Sequence, residues 1–292
     1  MQRVIATPKD QPSCRTSTIV WRRLISSVGV ILSGLSAGIA AAVLLLILGY
    51  VVREGVGGLS GSFLTQLPRP VGMAGGGIAN GIVGSAIIVG IATLIAVPIG
   101  TLTGIYLSLY GHGPFAEVVR FLADVLSGVP SIAIGLFAYT IFVAPFRHFS
   151  AASAAVAFAI LMLPLIIRTA EEAIKSVPKH VRLGALALGL STSDATLHII
   201  IPAARAGIVT GLLLAIARVT GETAPLLFTA FGSQFWELNP TNPMAELSLQ
   251  VFTYAISPYA DWHRQAWAGA LLLIGAVLML NLLARFALRT RR

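Results

Sequence analysis

Arg218 and Glu222 interrupt Gly207 to Gly232, a stretch otherwise apolar enough to cross a bilayer. One charge at the centre of a span costs about 2.5 to 3.5 kcal/mol, so two uncompensated charges would cancel the gain from many Leu and Ile side chains. On a helix, residues four apart share a face and can meet. At about 100° per residue, Gly207, Gly211, Ala215, Arg218, Glu222 and Pro225 fall on one side, opposite Val209, Leu213, Ile216 and Leu227. Small residues let helices approach closely, so the charged side is expected to face protein or an aqueous path. An Arg fork can grip the oxygens of an anion, and a carboxylate beside it can accept a hydrogen bond from a protonated anion while keeping the Arg from holding too tightly. The rise from Gly207 to Arg218 is roughly 16 Å, about half a bilayer core, which predicts a position near the midplane. An ion pair that only compensates itself and packs against a neighbouring helix is the plainer alternative. Pro225 cannot donate to the Gly221 carbonyl, so Gly221 and Pro225 predict a kink, whether a hinge or a fixed shape.

The elements that must carry these residues are membrane spans. The 292-residue chain is 56% hydrophobic and only 11% charged, with a mean hydropathy of +0.87, which excludes an ordinary soluble globule. Its net charge of +9 comes without a basic stripe or any nucleic-acid motif, so the basic residues are read as topology signals. Cys14 is the only cysteine, which excludes an intrachain disulfide and a cysteine metal cluster. His112, His148, His180, His198 and His263 lack metal-ligand spacing.

A polar, basic tail (1–27) precedes a first span at 28–52, too long for a signal-peptide core. The glycine-rich stretch 53–80 reads as an external linker with little regular structure. A core follows at 81–288 with five further spans, then a basic tail at 289–292. Within the core, Gly81 to Leu109 is a span, Phe115 to Leu126 is an amphipathic surface helix, and spans at about 131–146 and 151–167 follow. An outward loop from Ser233 to Arg264, rich in aromatics, precedes the last span from Gln265. Six spans place 15 Lys and Arg inside, 4 outside and Arg218 within the bilayer, with both termini cytoplasmic. The fold class is therefore all-α and polytopic.

The segment 171–204 has its own pattern. Pro178 suits a helix start, Gly189 a stop, and Ser191 with Asp194 forms a capping signature for a second short helix that Pro202 ends or kinks. No internal repeat supports a self-sufficient secondary transporter or channel, and no nucleophile-and-base or metal constellation supports a polytopic enzyme. The G-x-x-x-x-G-K-[ST] loop is absent, so ATP hydrolysis is expected only on a partner.

Leu183 to Pro202, LGALALGLSTSDATLHIIIP, resembles the EAA-x3-G-x9-I-x-LP loop of binding-protein-dependent ABC importer permeases, which couples the permease to its ATPase. Gly189, Ile199 and Pro202 fall in register, Gly184, Ala185 and Asp194 lie within the same loop, Ile201 stands for the Leu, and Leu183 replaces the leading acidic residue. Ala217 to Trp236, Ser257 to Leu273 and Ser127 to Phe137 are similar to the phosphate-importing branch of that family, and the likeness extends over about 80–288. The resemblance implies the type I importer permease fold, in a bacterial inner membrane, with this chain forming half of a translocation pathway for inorganic phosphate. It further implies a heterodimer with a second, PstC-like permease, two copies of a PstB-like ATPase that uses ATP and Mg, and an external PstS-like phosphate-binding protein, with no cofactor on this chain. Another oxyanion, sulfate or molybdate, is the alternative substrate.

Overall fold

A computed structural model describes residues 16–289 except Gly72 and Ala74, with side chains described over 21–282. The expectations for residues 1–15, Cys14 among them, and for 290–292 lie outside the described residues. The chain falls into two compact units, Met1–Tyr50 and Val51–Arg292. The first unit holds most of helix α1 (Thr16–Val56), whose candidate span Trp21–Val56 has a mean hydropathy of 2.5. Its apolar side chains, Leu32, Leu35, Leu45 and Leu46 among them, are exposed, as suits a lipid environment.

The second unit is organised around α6 (Ala151–Lys175), the most deeply buried of the long helices, which packs between α3 (Ala79–Leu109) and α9 (Ile201–Thr220). Small residues make this approach possible. A Cβ on Gly104 would lie 2.7 Å from that of Ala170, and one on Gly207 would lie 2.7 Å from that of Ala173. Phe158, Met162 and Ile166 of α6 fill the space with Ile88 of α3 and Val219 of α9.

Three expectations are corrected. The stretch 53–80 is no linker: Ser60 caps a short helix α2 (Gly61–Thr65), Phe63 is buried, and its carbonyl accepts from the Ile78 amide at 2.9 Å. Gly55 and Gly58 serve close approach, because a Cβ on Gly58 would meet that of Ala268 at 2.9 Å and one on Gly55 that of Leu271 at 2.8 Å. The break expected at Ser127–Ser131, by contrast, is present, and the third span opens after it. Helix α4 (Pro114–Gly128) meets α5 (Ser131–Ala138), prolonged by a π-helical turn to Val143, at a bend of 104°. Val129-Pro130 causes the break, since the proline cannot continue the hydrogen-bond ladder and holds the residue before it extended, Val129 at φ −69° and ψ 130°. The loop expected to face outward contains α11 (Leu247–Ala255), and the last helix α12 (Ala260–Arg289) begins before Gln265. These two helices meet through Tyr254 and Trp262, whose ring centroids are 4.7 Å apart. Finally, Pro202 neither ends nor kinks a free helix: it sits in the first turn of α9, and a π-helical turn, Thr196–Ile200, joins α9 to the short α8 (Thr192–Ala195).

Candidate functional site

Between Gly221 and Pro225, where a kink was expected, the charged stretch is broken outright. Helix α9 ends at Thr220, Gly221 leaves helical geometry at φ −99° and ψ 2°, and the chain resumes as the short α10 (Leu226–Thr229). Gly221 is a poor helix former, and Pro225 has no N–H to satisfy the Gly221 carbonyl, so the ladder stops between them. Arg218 therefore lies in the last turn of α9, where a cation complements the helix dipole. Glu222 lies outside the helix, so the shared helical face expected for Arg218 and Glu222 does not form. Arg218 is exposed, Glu222 is half-buried, and among the described residues no ion pair joins them. Counted from Ile201, Arg218 is about 26 Å along the helix, which moves it from the midplane toward the far end of the span. Pro225 is buried against α5, where a Cβ on Gly135 would lie 2.6 Å from the Pro225 Cα.

The break has a support that sequence reasoning missed. The carbonyl of Glu222, freed from the ladder, accepts a hydrogen bond from Ser248 Oγ of α11 at 2.9 Å. Ser248 Oγ also lies 2.5 Å from Glu246 Oε2. The Glu246 carboxyl is fully buried; it receives the Leu249 amide at 3.0 Å and Ser85 Oγ of α3 at 2.9 Å, while Ser85 itself accepts from the Leu247 amide. A hydroxyl has one hydrogen, so Ser248 satisfies both contacts when Glu246 is protonated and donates to it. Burial, opposed by these hydrogen bonds, pushes the Glu246 carboxyl above its ordinary range, in the same direction. Glu246 caps α11, and a carboxylate just ahead of an apolar helical run is the signal that could have drawn attention to it. A cavity of about 250 Å³ opens beside it, lined by Phe231, Ser233, Gln250, Tyr254 and Trp262.

A second charged group joins α4 to the last turns of α6. Glu171, 1% exposed, accepts from Arg120 Nε at 2.7 Å and Lys175 Nζ at 2.7 Å, with Arg168 at 3.4 Å. Arg168 also pairs with Asp124, and Arg120 donates to the Leu107 carbonyl at 2.7 Å. Helix α4 thus turns Arg120 inward, toward Glu171, and leaves Phe115, Phe121 and Leu122 exposed. The i,i+3 and i,i+4 spacing of Arg168, Glu171 and Lys175 was visible in sequence, but those cations read only as topology markers.

In the segment after α6, helix α7 (Lys179–Ala187) starts directly after Pro178. Gly189 takes φ +85°; its amide bonds to the Leu186 carbonyl at 3.0 Å and the Leu190 amide to Ala185 at 3.3 Å, the two bonds of a Schellman stop. Ser191 Oγ accepts from the Asp194 amide at 3.1 Å. Ala185 is buried and Ile199 half-buried, whereas Gly184, Asp194 and Pro202 are exposed. Leu183 and Leu188 project at 64% and 85% exposure, an apolar surface on a helix-turn-helix between two spans.

Long apolar helices around a small-residue core, a broken charged helix and a helix-turn-helix between spans define a membrane transport permease. The chain belongs to the family described as binding-protein-dependent transport system inner membrane component, whose model matches residues 96–290. It is a multi-pass inner-membrane subunit, not itself an ATPase, and membership implies an ATPase and a binding protein as partners. Its relatives include the phosphate transport system permease protein PstA of Yersinia pestis, 44% identical over 266 residues, covering 91% of this chain and 90% of the relative. The protein of that name from Haemophilus influenzae is 43% identical, with 91% and 94% covered. Among solved structures, the inward-facing MetNI methionine ABC transporter aligns with a TM-score of 0.57 at 16% identity, covering 72% of this chain and 92% of that one. An amino acid ABC transporter crystallised with histidines gives 0.52 at 20% identity, with 73% and 94% covered. These two likenesses bear out the all-helical importer fold.

Proposed function

We propose that this chain is one half of the membrane passage of an ATP-driven importer of inorganic phosphate, and that Arg218 is its contact with the travelling anion. The observation that carries the substrate is the 44% identity, over 91% of this chain, with a phosphate permease. The geometry adds a cation at the end of a broken helix, exposed and without an ion-pair partner among the described residues, so its five donors are available to oxygen atoms. Glu222, half-buried on the next turn of chain, offsets that charge and accepts a proton-bearing oxygen. Gly221 and Pro225 hold the break open, and Ser248 anchors it through the Glu222 carbonyl.

Arg218 would face a second, PstC-like permease that supplies the other wall. Two copies of a PstB-like ATPase would dock on α7 and α8, where exposed Leu183 and Leu188 offer an apolar contact in place of the family's acidic residue. A PstS-like protein would deliver phosphate at the opposite face. The basic residues from Arg168 to Arg205 support a cytoplasmic placement for this segment, with both termini on the same side.

The test is ATP-driven uptake of labelled phosphate by the reconstituted importer carrying Arg218→Gln, with assembly measured separately. Lost uptake at normal assembly is expected; normal uptake removes Arg218 from the pathway. Sulfate or molybdate uptake in place of phosphate would reassign the substrate, and gradient-driven transport by this chain alone would reassign the mechanism.

A further inference from the structure

Beyond the transport path, at the ends of α3 and α6, a cavity of about 140 Å³ lies under α7. Leu109, Ile174 and Ile200 form its apolar wall and belong to one packed cluster, which fixes the wall's shape. Lys175, Lys179 and Arg182 stand at its rim. Lys175 is committed to Glu171, at 2.7 Å. Lys179 and Arg182 have no ion-pair partner among the described residues, so the cavity carries two uncompensated cations over an apolar floor. A free inorganic anion has no use for that floor, and an apolar ligand has no use for the cations. A phosphodiester joined to acyl chains satisfies both, and basic pockets between transmembrane helices have this chemistry. The position fits as well: α3 ends at Leu109 and α6 at Lys175, so the cavity sits where two candidate spans leave the bilayer.

We infer that this cavity binds the headgroup of an anionic phospholipid, with Lys179 and Arg182 on the phosphodiester and the glycerol end against Leu109 and Ile174, the acyl chains leaving the cavity toward the bilayer. Bound there, the lipid would tether α7 to the membrane surface while leaving Leu183 and Leu188, which do not line the cavity, available to a partner.

The experiment uses the purified full-length chain in detergent, titrated with phosphatidylglycerol and, separately, phosphatidylcholine, with lipid adducts counted by native mass spectrometry. Phosphatidylglycerol should be retained in preference to phosphatidylcholine. Lys179→Gln should weaken its binding roughly fivefold, and the double variant with Arg182→Gln on the order of 25-fold. Equal loss of charge at the other end of the bundle, Arg147→Gln with Arg264→Gln, should leave it unchanged. Thermal melting of each variant reports whether the fold survives, and the single substitution at the exposed Lys179 keeps the test interpretable if the double variant melts early. Unchanged retention in the folded double variant, or no preference between the two lipids, would overturn the inference. Inorganic phosphate displacing phosphatidylglycerol at equal concentration would overturn the lipid assignment in favour of a free anion.

Discussion

Two charged regions of this molecule are treated in opposite ways. Glu171 is buried and held by three cations, two of which, Arg120 and Arg168, are also tied to a carbonyl or to a second helix. Arg218 is exposed at the end of a broken helix, and its expected partner Glu222 has left the helical face. The first arrangement neutralises charge and fixes two helices; the second leaves a charge unspent in a place where leaving it costs free energy. Structural charges in a low-dielectric setting are satisfied from within the chain, and an unsatisfied one points to something that arrives from outside.

Breaking the closed region should have the largest effect on the fold. Glu171→Ala strips the acceptor from Arg120, Lys175 and Arg168, and is expected to cost about 3 kcal/mol, read as an earlier melt in detergent. Arg218→Gln should do the reverse: phosphate uptake falls at least about tenfold while the melt changes little, because no ion pair among the described residues is lost. Equal damage to melt and uptake in both variants would erase the distinction between the regions.

Glu246 sharpens the comparison, being buried like Glu171 yet linked to the break beside Arg218. Glu246→Ala leaves the Leu249 amide and Ser85 without their acceptor and should cost about 2 kcal/mol, whereas Glu246→Gln, close in shape to the protonated acid, should cost less. Because burial raises this carboxyl, its contribution to stability is full below the unfolded value of about 4.3 and is lost as pH rises through the folded value. The glutamine variant should therefore melt with a flatter pH profile than the parent. The smallest effect is expected at Gly189, whose φ of +85° penalises a side chain by about 1 to 2 kcal/mol. Gly189→Leu should also reduce co-purification of the ATPase, and retention of a normal complex would remove α7 and α8 from the docking surface.

Much of the bundle could be read from sequence because hydropathy and local turn chemistry are properties of short stretches. The span at α3, the start of α7 after Pro178, the stop at Gly189 and the cap at Ser191 all depend on neighbours within a few residues. The errors arose where the chain meets itself at a distance. The stretch around Phe63 looked like a linker because the partners of Phe63 and Gly58, Ile78 and Ala268, are remote in the chain or on another helix. Glu222 looked helical because a wheel assumes an unbroken ladder, and Gly221 with Pro225 ended it rather than bending it.

Composition and periodicity alone determined an all-helical membrane protein, its long spans, a helix-turn-helix between two of them, and a costly Arg and Glu inside an apolar stretch. Only the tertiary structure decided which charges are spent. It buried Glu171 among cations from two helices, set Ser248 under the Glu222 carbonyl, and left Arg218 exposed. The physical reason is that the cost of a charge in a membrane protein depends on what surrounds it, and those surroundings come from residues far away in the chain.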